Sequence, residues 1–198
     1  MKEHARIDRD WERVYENKTT PWDVGEPDNI IAGMVERGEI NPCRALELGC
    51  GNGNDAIFLA RSGFDVTALD VSKLAIEEAK RRARNARAKV NFLVDDAADP
   101  RHVTGNFDFI LDRCCFHFIH KSKRQKYVQS VSRLLKPSGL FILVLSSKND
   151  PVTGPYQFSK EDIRRLFMAN FDIEDIRRIT LKTHKEKPQP YFCIMRKR

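Results

Sequence analysis

Residues 43–70 read CRALELGCGNGNDAIFLARSGFDVTALD. Two short apolar runs, CRALEL and FDVTALD, flank the amphipathic segment NDAIFLARSG, and Gly49, Gly51 and Gly53 follow the first run at alternate positions. This patterning predicts a strand, a glycine turn, a helix and a second strand. Glycine suits the turn because it adopts positive φ cheaply and lets a ligand approach the backbone. The spacing G-x-G-x-G differs from the G-x-G-x-x-G fingerprint of dinucleotide-binding folds. Asn54 stands where the last glycine of that fingerprint would be, and Asp55 follows it, so a pyrophosphate would meet a carboxylate. Glu47, just before the glycines, favours a cationic or amine-bearing ligand. Asp70 closes the second run 21 residues after Gly49, and a carboxylate at a strand end can accept hydrogen bonds from both ribose hydroxyls. The ligand so described is a nucleoside without a pyrophosphate.

Outward from this stretch the alternation continues through SKLAIEEAKRRARNA, KVNFLVDD, FDFILD, KRQKYVQSVSRLLK and GLFILVLS, with turns at Ser62-Gly63, Asp99-Pro100 and Pro137-Ser138-Gly139. Tyr127, Val128, Val131, Leu134 and Leu135 make one apolar stripe at helical spacing. Such alternation requires right-handed crossovers and predicts an α/β, doubly wound, mostly parallel sheet that binds ligands beyond the carboxyl ends of its strands. FDIEDIRRITL and PYFCIMRKR read as two strands of a closing antiparallel hairpin, and Ser159 with Asp162 as the start of a helix before them. Residues 1–40 read as an N-terminal cap: a short helix with Ile7, Trp11, Val14 and Tyr15 on one side, the loop TTPWDVGEPDN, and a helix from about Ile30. Nothing resembling a linker interrupts the chain, so a single domain over 1–198 is expected, with its core at 41–198.

A chain of 198 residues, 41% hydrophobic and 32% charged, is a globular protein rather than a disordered or membrane one. The opening MKEHARIDRDWER has charge but no apolar segment, which predicts a cytoplasmic protein. Five cysteines with no C-x-x-C pair predict free thiols and no metal site. The net charge of +7 suggests nucleic acid until it is located. Residues 177–198 hold eight Lys/Arg and one Glu, and the remainder balances at 27 of each sign. That stretch reads as the solvated face of edge strands and a tail, and Lys80-Arg81-Arg82-Arg84-Arg87-Lys89 as the solvated face of a helix.

The combination of ELGCGNG, the acidic Asp70, Asp95-Asp96-Ala97, FDFILDR and LLKPSGLFILV resembles the class I S-adenosylmethionine-dependent methyltransferases. The resemblance spans most of the chain and implies a Rossmann-like, seven-stranded sheet with an antiparallel C-terminal strand. It also implies S-adenosyl-L-methionine as cofactor. Leu48, Gly49 and Gly51 would line its amino-acid part, with Glu47 beside them, Asp70 and Val71 its ribose, and Asp96 and Ala97 its adenine. WERVYENKTTPWDVGEP together with Asp112-Arg113 is similar to the thiopurine, thiol and halide methyltransferase group, including tellurite-resistance relatives. That likeness implies that Trp11 and Trp22 cover the cofactor, with a cation-π contact from Trp22. It puts Arg113 near the methionine carboxylate or the acceptor, with Asp112, Arg113 and His117 as catalytic candidates.

Each assignment has a structural alternative. Trp11 also fits core packing, Asp70 a helix cap, Asp112 and Arg113 a local ion pair, and His117 and His120 ordinary structural histidines. The expected activity is methyl transfer to a small molecule, most readily a thiol or other soft nucleophile such as a thiopurine, halide or tellurite. The competing readings are an RNA or protein methyltransferase and a non-catalytic cofactor-binding protein. Against the first, the chain reads DRCC where adenine N-methylating enzymes carry N/D-P-P-Y/F, and no membrane partner is implied.

Overall fold

The computed structural model describes residues 9–148, 150, 155–183 and 187–198. Two short helices, α1 (Trp11–Glu16) and α2 (Asn29–Glu36), precede the first strand, β1 (Arg44–Leu48). Then follow α3 (Asn54–Arg61), β2 (Asp65–Asp70), α4 (Lys73–Asn85), β3 (Val90–Val94) and β4 (Phe107–Arg113). A 3-10 turn at Phe116–Phe118 leads to α5 (Arg124–Leu134), β5 (Leu135–Leu145), α6 (Lys160–Phe167), β6 (Phe171–Arg178) and β7 (Tyr191–Lys197).

The seven strands form one sheet in the order β3-β2-β1-β4-β5-β7-β6. All neighbouring pairs are parallel except those of β7, which runs antiparallel to both β5 and β6. This is the Rossmann-like arrangement expected, with the C-terminal hairpin closing one edge. The strand order reverses between β1 and β4, and the crevice outside that switch point is where such sheets hold ligands. Fully buried Leu46, Leu48 and Ile110 pack on one face with α5 and α6, while Ala45, Leu111 and Ile142 pack on the other with α2, α3 and α4.

The local signals behave as expected. Ser72 and Ser159 cap α4 and α6, the latter in a reciprocal capping box with Asp162. One boundary differs: Leu135 starts β5 rather than ending α5, pairing with Phe107. The next pair is Phe109 with Leu140, so Pro137-Ser138-Gly139 forms a bulge within β5 instead of a turn between elements. Of the expected N-terminal helix, Trp11, Val14 and Tyr15 fall on α1 or its face, and Ile7 lies outside the described residues. No helix among the described residues is long and apolar enough to cross a membrane.

Candidate active site

A cavity of about 760 Å³ opens at the carboxyl ends of β1, β2 and β4, within the usual range for small-molecule sites. The glycine turn forms its floor. Gly49 and Gly51 take φ of +69° and +53°, and a Cβ on Gly49 would lie 2.5 Å from Cβ of Cys115. Neither position tolerates a side chain, so bare backbone faces the cavity. Asp70, at the end of β2, braces this turn: its Oδ2 accepts the Gly51 N–H at 2.9 Å and its Oδ1 the Ser72 N–H at 2.9 Å. Each carboxylate oxygen retains a further lone pair. Both alternatives for Asp70 therefore coexist, since it supports the entry to α4 and lines the cavity.

Glu47 also lines the cavity, and its Oε2 is buried without a hydrogen-bond partner among the described residues. Burial, reinforced by Asp55, raises its pKa well above the usual carboxylate range. An orphaned acceptor of this kind is costly, and an ammonium group supplied by a ligand would satisfy it. Leu48 is enclosed in the core and contributes no side chain to the cavity. Val71 and Ala97 lie along its wall, as does Asp96, whose Oδ2 accepts from Lys123 Nζ at 3.1 Å.

The N-terminal segment roofs the cavity. Trp11 meets Trp22 at 6.1 Å and Phe118 at 4.8 Å, both edge-on, and the Arg9 guanidinium lies 5.4–5.8 Å from all three ring centres. These rings form a cage suited to a cation.

Charged residues fasten this roof down, among them Arg82, expected on a solvated face, and Arg113, a catalytic candidate. Asp23, next to Trp22, accepts from Asn52 and Asn54 of the glycine turn and takes two bonds from Arg82 of α4. Arg82 is therefore not part of a solvated basic face. Glu12 of α1 accepts from Ser72 Oγ and from the N–H groups of Lys73 and Leu74 at the start of α4. Asp28 caps α2 and accepts from Arg113 Nε at 3.0 Å, while its own N–H donates to Asp55 at 2.6 Å. Arg113 lies 3.7 Å from Asp55 as well. It does line the cavity, but its Nε is committed to an ion pair between the cap and the core.

Asp112 is placed differently from its expected catalytic position. Wholly buried, it accepts from the Cys115 and Phe116 N–H groups and from the Tyr127 hydroxyl at 2.6 Å, and it does not line the cavity. Its neighbour in sequence is not its partner, because adjacent strand residues point to opposite faces. Burial raises its pKa to about 7. His117 lines the cavity with its Nδ1 accepting the Ser146 N–H at 3.3 Å, and burial lowers its pKa to about 3. The five cysteines are free thiols, and among the described residues no three His, Cys, Asp or Glu side chains are grouped to hold a metal.

The glycine floor, the strand-end carboxylate of Asp70, the unsatisfied Glu47 and the aromatic roof suit S-adenosylmethionine, and the molecule is a class I methyltransferase that depends on that cofactor. Residues 7–195 match the family model for thiopurine S-methyltransferase. The chain belongs to the thiopurine S-methyltransferase family. It is 33% identical over 163 residues to the probable thiol methyltransferase 2 of Arabidopsis thaliana, covering 80% of this chain and 71% of the relative. Identity to the 2-heptyl-1-hydroxyquinolin-4(1H)-one methyltransferase of Mycobacteroides abscessus is 29% over 160 residues, covering 79% of this chain and 70% of that one. Among solved structures, Burkholderia thailandensis 1,6-didemethyltoxoflavin-N1-methyltransferase, bound to 1,6-didemethyltoxoflavin and S-adenosylhomocysteine, superimposes with a TM-score of 0.77 at 21% identity, over 95% of this chain and 85% of that chain. A structure described as the conversion of a disulfide bond into a thioacetal group during echinomycin biosynthesis gives 0.82 at 24% identity, over 94% and 91%.

Proposed function

We propose that this protein methylates a small, soft nucleophile, most directly a thiol or its anion. The observation that carries the reading is the unsatisfied carboxylate oxygen of Glu47 beside the glycine floor and Asp70, which fits a ligand with an ammonium group next to a ribose. Bound S-adenosylmethionine supplies a methyl group on a sulfonium, a leaving group that needs no protonation. The chain's own residues then bind and orient. Glu47 holds the ammonium, the Gly49 and Gly51 backbone lets the cofactor lie close, and Asp70 takes the ribose hydroxyls. Asp96, Val71 and Ala97 border the adenine, with Lys123 held aside by Asp96. Trp11 and Trp22 exclude water from the methyl group, where aligned groups gain up to roughly 7–11 kcal/mol from proximity.

Arg113 holds the roof shut, and Asp112 positions the turn that carries His117. A thiol acceptor is supported by the identity to the plant thiol methyltransferase. The test has two parts. Calorimetry is expected to register binding of S-adenosylmethionine and S-adenosylhomocysteine by the wild-type protein, weakened at least tenfold in Asp70→Asn. A labelled-methyl screen over aryl thiols, thiocyanate, thiopurines, tellurite and an N-hydroxyquinolone, with total RNA as contrast, is expected to label a thiol. Binding without transfer to any small molecule would overturn the proposal in favour of a cofactor-binding partner protein.

A further inference from the structure

His117 stands at the middle of the 3-10 turn after β4, its ring packed at 4.5 Å against that of Phe118. Its Nδ1 accepts a backbone N–H from Ser146, at the end of β5. A ring nitrogen that accepts carries no proton, so the neutral ring is the Nε2–H tautomer. No described residue accepts that Nε2–H, the atom is not among the buried unpaired ones, and the ring lines the cavity. The ring thus lines the cavity with an Nε2–H that no described residue takes up.

Resting on the methyl-transfer reading above, we infer that His117 is the hydrogen-bond donor that seats the acceptor: its Nε2–H holds a lone pair of a nucleophile that enters already as an anion. The basic lone pair of the ring is spent on Ser146, so His117 is not positioned as a base. The neighbouring groups are also occupied. Arg113 pairs with Asp28 and lies against Asp55, which itself takes the Asp28 N–H. Asp150 receives the Gln189 N–H on both oxygens, and Tyr127 gives its hydroxyl to Asp112. Glu47 and Asp70 stand at the glycine floor, Asp96 and Lys123 pair with each other, and the Cys114 and Cys115 thiols are raised by burial. No charged neighbour shifts His117; burial alone keeps it neutral. The acceptor's proton accordingly leaves to water before binding. Transfer then forms one bond from the acceptor atom to the methyl carbon and breaks the carbon–sulfonium bond, whose electron pair stays on the donor sulfur.

The test uses wild-type protein and a series of aryl thiols of graded acidity. The pH profile of kcat/KM is expected to rise to a plateau with an inflection that moves with each thiol's own pKa. His117→Gln keeps an amide N–H near the Nε2 position, whereas His117→Phe keeps the ring shape without a donor. His117→Phe is expected to raise the acceptor KM roughly 10- to 100-fold with the cofactor Kd within about twofold, and His117→Gln to restore most of that loss. An inflection fixed between pH 6 and 7 for every thiol would overturn the inference, as would an unchanged acceptor KM in His117→Phe. The wild-type pH series decides the question even if a variant fails to fold. Failure of the wild type to methylate any acceptor would instead remove the parent proposal, and this inference with it.

Discussion

The two walls of the cavity are built from different materials. Along β1 and β2 the wall is largely backbone: Gly49, Gly51 and the amides that Asp70 gathers, with the carboxylates of Glu47 and Asp70 beside them. After β4 and β5 it is side chains: His117, Cys114, Phe118 and Ser146. A backbone wall recognises whatever is constant in the ligand and tolerates few substitutions. A side-chain wall can be respecified residue by residue without disturbing the sheet. The division suits an enzyme family that keeps one methyl donor and changes acceptors. Between the walls, Arg113 ties the roof to the floor through Asp28 and Asp55.

That tie is where the contrast breaks most severely. Arg113 and Asp28 are both largely buried, and removing the cation leaves Asp28, Asp55 and Glu47 together without it. Loss of one partner of a buried pair costs about 3–5 kcal/mol. Arg113→Ala is expected to lower the unfolding free energy read from urea titration by that amount, with activity falling through unfolding of the roof. A variant as stable as wild type would show that the pair contributes nothing.

Gly49→Ala probes the backbone wall. A Cβ there meets Cβ of Cys115 at 2.5 Å, and φ of +69° is strained for alanine. Overpacking costs about 1–3 kcal/mol and left-handed backbone about 1–2, so thermal unfolding should report a loss of about 2–5 kcal/mol. Cofactor affinity measured below the melting transition should fall as well. Substitution at Cys114, on the other wall, is expected to spare cofactor affinity, and equal losses at both positions would erase the distinction.

The division also governs what was legible in sequence. The strand-turn-helix-strand unit, the glycines, Asp70 and the caps Ser72 and Ser159 are local patterns, each decided within a few residues. The pairs that close the roof are not local. Asp23 meets Arg82 across 59 positions and Asp28 meets Arg113 across 85, and an arginine in a basic run looks the same whether it is solvated or clamped. Asp112 is hard to read for the opposite reason: its position at a strand end resembles a site residue, while its side chain meets Tyr127. The capping role of Asp28 was available in principle, as an aspartate before a helical run. Its second partner was not.

Asp112 also carries a pH signature. Burial lifts its folded pKa to about 7 from an ordinary value near 3.8, so the stability linked to its proton is fully present below about pH 4 and is lost as pH rises through 7. His117, lowered to about 3 by burial, acts in the other sense: its contribution is present above about pH 6.5 and lost as pH falls. Asp112→Asn removes only the first effect. The difference in urea stability, variant minus wild type, is expected to grow by about 1–3 kcal/mol between pH 4.5 and 8. A difference that stays flat would mean that Asp112 titrates alike in the folded and unfolded chain.

The smallest effect concerns how tightly the roof rests on the backbone wall. Arg82 is partly exposed and shares its charge between Glu78 and Asp23, so solvent screens the pair and its loss costs at most about 1 kcal/mol of stability. Asp23, however, also receives the side chains of Asn52 and Asn54 from the glycine turn. Arg82→Ala frees the loop bearing Trp22 while leaving Asp70 and the glycines untouched. Stopped-flow measurement is therefore expected to show S-adenosylhomocysteine leaving severalfold faster, with little change in its association rate, and 0.5 M salt should bring the wild-type off-rate toward that of the variant. Identical off-rates at low salt would mean that the charged fastening at Asp23 plays no part in retaining the ligand.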